Sequence, residues 1–143
     1  MKTFVVDASV GAKWCLPEKD EPFIPQAQRL LEGYIRAEIS LIVPDVFWPE
    51  LGNVLWKAVR KGRLSNSDAH SGLEYLQNLK IPTYSCSDFL AETLHLAWSY
   101  DRTFYDSLYV TLAEHSSTEL ITADERLANA LAAYLPVKWL GTM

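Results

Sequence analysis

The sequence predicts an α/β fold, a central parallel sheet with helices packed on both of its faces. Three observations carry that prediction. Short apolar runs alternate with amphipathic stretches of helical period along the whole chain. Those runs are continuously apolar, not polar on every second residue, so each strand expects cover on both sides. The 143 residues, 49% of them apolar and 22% charged, suit a single domain over residues 1–143 with a substantial core.

The elements follow in order. Phe4-Val5-Val6 reads as the first strand, running into a turn at Asp7. A short helix over Val10–Leu16 takes Ser9 as its cap and stops at Pro17. The stretch Ala27–Glu38 sets Leu30, Leu31, Tyr34 and Ile35 on one helical face. Ile39–Val43 is a second strand, closed by Pro44. A helix over Asp45–Lys61 breaks at Gly62, and another runs over Ser67–Leu79 from a cap at Ser65 or Ser67. Ile81–Tyr84 is a weak third strand. Helices over Asp88–Tyr100 and Tyr105–His115 lead to a fourth strand, Glu119–Thr122. Glu125–Ala133 is helical again, and Val137–Leu140 ends the chain as an edge strand.

Composition excludes some classes. A net charge of −5 and a pI near 5.1 argue against a general coater of nucleic acid, which would be basic. They leave a nuclease open, because bound divalent cations invert the local field. The N-terminal apolar run is too short for a signal peptide and is interrupted by Asp7; no segment reaches the roughly 20 apolar residues of a membrane span. Cys15 and Cys86 form no disulfide framework and no zinc motif, and a reducing cytoplasm is the expected location.

In an open parallel sheet, ligands sit beyond the carboxyl ends of the strands. Asp7 closes the first strand, and Thr122 with Asp124 closes the fourth, so both acids are expected in one crevice. Each candidate acid also has a plain structural explanation. Asp7 suits a turn cap, and Glu50 early in its helix suits the macrodipole. Thr103-Phe104-Tyr105-Asp106 resembles a capping box, and Thr122-Ala123-Asp124-Glu125 a cleaner one, with Thr122 at the cap and Glu125 reaching back. Singly, these explanations suffice. Four carboxylates converging at one end of a sheet would repel unless cations neutralised them, and hard oxygen ligands suit Mg²⁺ or Mn²⁺. Glu18, Asp20 and Glu21 read as an exposed acidic loop. Glu32, Glu38, Glu74, Glu92 and Glu114 read as solvated helix faces, with Asp101 in reserve. His70, His95 and His115 have no motif partners.

At these residues the sequence resembles the PIN-domain ribonucleases, and specifically VapC-type toxins of toxin–antitoxin pairs. Four motifs occur in the family's order: Val5-Val6-Asp7-Ala8-Ser9, Pro49-Glu50-Leu51-Gly52-Asn53-Val54-Leu55, Tyr105-Asp106-Ser107-Leu108-Tyr109-Val110-Thr111-Leu112-Ala113, and Leu120-Ile121-Thr122-Ala123-Asp124-Glu125-Arg126-Leu127. The resemblance covers nearly the whole chain. It implies a three-layer α/β/α fold with strand order 3-2-1-4-5, and Mg²⁺- or Mn²⁺-dependent endonucleolytic cleavage of RNA by a metal-activated water. It assigns Asp7, Glu50, Asp106 and Asp124 as catalytic and metal-binding residues, with Ser9 and Thr122 in support. It also implies an RNA substrate, a homodimer, and a cognate antitoxin covering the active-site groove.

Weaker signals remain. Trp48, Gly52, Trp56 and Val59 form a second apolar stripe on the Asp45–Lys61 helix, read either as core or as a protein interface; Trp14 is a second candidate contact. Lys57, Arg60, Lys61 and Arg63 crowd the end of that helix. They read first as charge against its C-terminus, with Lys57 a candidate phosphate contact. Two other readings stay open. One is a nuclease of RNA maturation or DNA processing without a toxin role. The other is an acidic receiver-like signalling module, for which Ser85-Cys86-Ser87-Asp88 is a poor match to the required aspartate.

Overall fold

The computed structural model describes every residue except Asp20, so the expectation of Asp20 in an exposed acidic loop lies outside the described residues. Five parallel strands form one sheet in the order β3-β2-β1-β4-β5. They are β1 (Lys2–Val6), β2 (Ile39–Pro44), β3 (Thr83–Tyr84), β4 (Glu119–Thr122) and β5 (Val137–Trp139). β1 lies at the centre, pairing Phe4 with Leu41 on one side and Val6 with Ile121 on the other. Val5 and Val6 point to opposite faces of the sheet, and neither is exposed. Both faces are therefore covered, as the unbroken apolar runs require.

Among the described residues seven α-helices supply the cover: α1 (Ala8–Lys13), α2 (Ile24–Ile35), α3 (Phe47–Arg60), α4 (Asn66–Asn78), α5 (Leu90–Tyr100), α6 (Phe104–His115) and α7 (Glu125–Leu131). α6 packs across β1, β2 and β4, and α5 lies against α6. The buried Thr93–Thr111 hydroxyl bond and the edge-on Phe89–His115 contact show that α5 and α6 run antiparallel. α1 packs on α3, and α2 on β2.

Several boundaries differ from expectation. α1 begins at Ala8 because Asp7, not Ser9, caps it, accepting from the Val10 N–H at 3.3 Å. α2 starts three residues early, at Ile24, since Pro25 falls in the first turn, where its missing N–H has no helical partner to lose. It ends at Ile35 because Ala37 turns left-handed (φ 57°) and Glu38 N–H closes back on Gly33 O. β3 shrinks to two residues, and the expected start of the next helix is a 3₁₀ turn over Cys86–Phe89. α7 stops at Leu131 and β5 at Trp139.

The other acidic loop residues divide. Glu18 is exposed, but Glu21 is half-buried and accepts from buried Lys13 at 2.9 Å and from Arg63 at 2.7 Å. It joins α1 to the turn after α3 and does not decorate a surface. Trp14 and Trp48 are partly buried, and each indole is hydrogen-bonded within the chain. The Trp14 indole donates to Ala27 O and that of Trp48 to Thr83 Oγ1. No helix among the described residues is long and apolar enough to cross a membrane.

Candidate active site

Each of the four acids is placed by the start of a helix. Asp7 follows β1 and caps α1; Asp124 follows β4 and caps α7, accepting from the Leu127 N–H at 3.2 Å. Glu50 lies in the first turn of α3, and Asp106 in the first turn of α6, whose cap Thr103 accepts from the Asp106 N–H. Helix starts favour acids through the macrodipole, so local folding and charge placement agree. Of the expected capping box at Thr103, the Thr103 cap is present, without the return bond from the Asp106 carboxylate to the Thr103 N–H. At Thr122 there is no such box: Asp124 is the cap, Thr122 ends the strand, and Glu125 stands exposed in the first turn.

Asp7 is the floor, 7% exposed. Its Oδ1 accepts from Ser9 Oγ at 2.5 Å and its Oδ2 from Thr122 Oγ1 at 2.5 Å. Both hydroxyls also accept backbone donors: Ala123 N–H reaches Ser9 Oγ at 2.9 Å, and Asp124 N–H reaches Thr122 Oγ1 at 3.1 Å. Ser9 and Thr122 thus bind the ends of β1 and β4 together around one carboxylate. Burial pushes Asp7 up to about 6, against the pull of its three donors, and the Asp106 charge adds to the rise.

Glu50 and Asp106 are half-buried, and Asp124 is exposed at the mouth. Burial raises Glu50, Tyr109 opposes that by hydrogen bonding, and Asp106 adds repulsion. Burial also raises Asp106, with Asp124 repelling it and Thr103 and Arg102 working the other way. The repulsions link Asp7 to Asp106, Glu50 to Asp106, and Asp106 to Asp124, so the four acids share one field with Asp106 in the middle. Asp101, the reserve candidate, turns the chain in left-handed conformation after α5 and takes no part in these repulsions.

Tyr109 was not singled out from the sequence. The residue is 2% exposed; its hydroxyl donates to Glu50 Oε1 at 2.7 Å, and the Ala8 N–H lies against the Tyr109 oxygen itself. Burial first, then the neighbouring Glu50 and Asp7, raise its own pKa and keep it a neutral donor. Its signal in the sequence is a phenol one helical turn beyond Asp106, where a core position needs no hydroxyl.

An oxygen-only quartet fits a hard divalent cation of the Mg²⁺ or Mn²⁺ kind, whose charge would offset both the burial and the lesser mutual repulsion that raise these acids. Among the described residues no three acidic, His or Cys side chains close on a common ion position. A spread set of this sort suits Mg²⁺, which keeps several waters and leans on one or two carboxylates. His70, His95 and His115 are exposed on helices away from this grouping.

Comparison with known proteins agrees with this geometry. The family model described as PIN domain matches residues 4–131. The chain is 34% identical over 133 residues to "Ribonuclease VapC3" of Pyrobaculum aerophilum, covering 90% of this chain and 95% of that protein. The crystal structure of PAE2754 from Pyrobaculum aerophilum shares the fold at a TM-score of 0.69 and 24% identity, over 99% of this chain and 85% of that one. The structure of VapBC2 from Rickettsia felis, bound to a DNA fragment from their promoter, gives 0.64 at 10% identity, over 96% and 98%.

Proposed function

Since the chain belongs to the PIN-domain family, with relatives named as VapC ribonucleases, we propose that it is a Mg²⁺- or Mn²⁺-dependent endoribonuclease, the toxin of a toxin–antitoxin pair. The observation that carries the reading is the placement of four acids at the carboxyl end of the sheet: Asp7 and Asp124 follow the adjacent strands β1 and β4, Glu50 and Asp106 open α3 and α6, and Ser9 and Thr122 clasp Asp7. The receiver-like alternative gives way to the family match, and Asp88, its nearest aspartate, sits in a 3₁₀ turn beyond the edge strand.

Asp7, Asp106 and Asp124 would hold the cation, one or two of them directly and the rest through its retained waters. When bound, it acidifies water and steadies the leaving oxygen of a phosphodiester. Ser9 and Thr122 fix both oxygens of Asp7, so that carboxylate presents its remaining lone pairs in one orientation. Glu50, with Oε1 taken by Tyr109, has Oε2 left to orient the attacking water and accept its proton. A raised Glu50 is the better base near neutral pH.

The whole chain works as one domain in the cytoplasm, with the antitoxin covering the cleft and a second copy completing a homodimer. The apolar face for that second copy is on α5, where Leu90, Leu94 and Trp98 stand outward at successive turns, Trp98 at 88% exposed. The Trp48 stripe is less suited, because Trp48 is engaged internally and Gly52, Val59 and Trp56 line a groove of about 230 Å³ against α4. A monomeric mass by light scattering would remove the dimer.

The deciding experiment incubates the purified chain with total bacterial RNA and Mg²⁺ or Mn²⁺. Asp7→Asn and EDTA samples run beside it. Discrete fragments that vanish in both controls support the reading. Intact RNA from a folded, metal-supplied sample free of antitoxin overturns it.

A further inference from the structure

α3 changes sign along one flank. Glu50 lies in its first turn; Lys57 and Lys61 come seven and eleven residues later. At 3.6 residues per turn both return to within roughly 20° of Glu50 about the helix axis, some ~10 and ~16 Å further along. The 17 residues between Glu50 and Asp68 hold four cations, Lys57, Arg60, Lys61 and Arg63, and no acid. Arg63 is committed to Glu21. Among the described residues, Lys57, Arg60 and Lys61 pair with no acid, and all three are exposed. Arg60 lies over the Trp56 ring at 4.9 Å, and Trp56 is 54% exposed.

Cations at a helix end complement the macrodipole with no ligand at all. That accounts for a basic last turn. It does not account for two lysines in line with Glu50, nor for an exposed tryptophan with a guanidinium stacked on it. A chain of net charge −5 repels a polyanion everywhere except where cations are concentrated. A basic track with an aromatic platform is how proteins hold single-stranded nucleic acid without reading its sequence.

We infer that the α3 flank is an RNA track leading from the carboxylate site. Lys57 and Lys61 hold successive phosphates, and the Trp56–Arg60 pair, at the same height but roughly 80–120° round the helix from Glu50, takes a base or sugar beside them. This rests on the ribonuclease reading and extends it from the scissile bond to the flanking strand. An acidic segment of a protein partner is the rival occupant. RNA is favoured because the track is continuous with the site where a phosphodiester must lie.

The test compares Lys57→Ala/Lys61→Ala with Lys2→Ala/Arg36→Ala, which removes the same charge at the opposite end of the sheet. Fluorescence anisotropy of a labelled single-stranded RNA of random sequence is followed against salt, on an Asp106→Asn background that suppresses cleavage. Steady-state cleavage is measured without that background. The first pair is expected to lose roughly tenfold or more in affinity at low salt, with the salt slope reduced by about 1.4, or 0.7 per phosphate contact. KM should rise with kcat kept, and the second pair should match wild type. Equal losses in both pairs, or none in either, overturn the track. So does unchanged RNA binding accompanied by loss of an acidic protein partner. Melting curves, with Lys57→Gln/Lys61→Gln as a second variant, exclude misfolding. Wild-type protein that cleaves RNA while the first pair keeps its KM sinks the track alone; wild-type protein that neither binds nor cleaves RNA sinks both readings.

Discussion

Tyr109 gives the most informative contact at the residue scale. A buried phenol that donates to Glu50 while touching the Ala8 backbone ties three elements to one atom. Loss of that hydroxyl leaves the ring in the core and frees Glu50 to swing. Tyr109→Phe is expected to lower cleavage or Mn²⁺ affinity roughly 10- to 100-fold, the usual loss when an outer support of a metal site is removed. The melting temperature should barely move, since only one partly compensated hydrogen bond goes. A variant with full activity and full Mn²⁺ affinity would make Tyr109 a packing residue. The acids themselves were legible in the sequence because strand ends and helix starts can be read locally. Tyr109 was not, because an aromatic within Leu108-Tyr109-Val110 looks like core until the fold brings α3 beside it. Glu21 was misread for the same reason: its partners Lys13 and Arg63 are 8 and 42 residues away.

At the scale of elements, the helix ends were harder to read than the strands. Five helices finish on a left-handed residue: Ala37, Gly62, Lys80, Asp101 and Ser117. Only Gly62 is a glycine, so the usual stop signal was missing in four cases. Strand order and parallel pairing were legible from the unbroken apolar runs together with the family resemblance, and β1 between β2 and β4 follows both. The contact of α1 with α3 depends on Gly11, where a Cβ would come within 2.7 Å of the fully buried Phe47 ring. Gly11→Ala is expected to destabilise the chain by about 1–3 kcal/mol through overpacking. It should weaken cleavage as well, since Asp7 caps α1 and α3 carries Glu50. Urea denaturation reads the first effect; an unchanged midpoint would mean that Phe47 has room to turn aside.

At the scale of the whole molecule, Glu21 is the staple that answers to acid. Burial alone would raise it, but Arg63 and Lys13 outweigh burial and hold it below its ordinary 4.5. A group depressed in the fold stabilises the chain above its unfolded pKa, and that stabilisation drains away as pH falls through the lower folded value. Stability should therefore drop as pH is taken below about 4.5, and Glu21→Gln should flatten that part of the curve. At neutral pH the same change should destabilise by about 3 kcal/mol, the low end for breaking a buried pair, because Lys13 is left buried without its partner. Equal acid slopes in both proteins would remove Glu21 from the account. The Ser9–Asp7–Thr122 clasp has a further consequence, one of timing. Ser9 is Asp7's neighbour in the chain but Thr122 lies 115 residues on, and β4 must slide in beside β1 before Asp7 gains its second hydroxyl and Ser9 its Ala123 donor. A chain emerging from the ribosome carries three of the four acids well before it has a cleft. Whatever the cleft does begins only when the last fifth of the protein is made, because β4 and Asp124 arrive last.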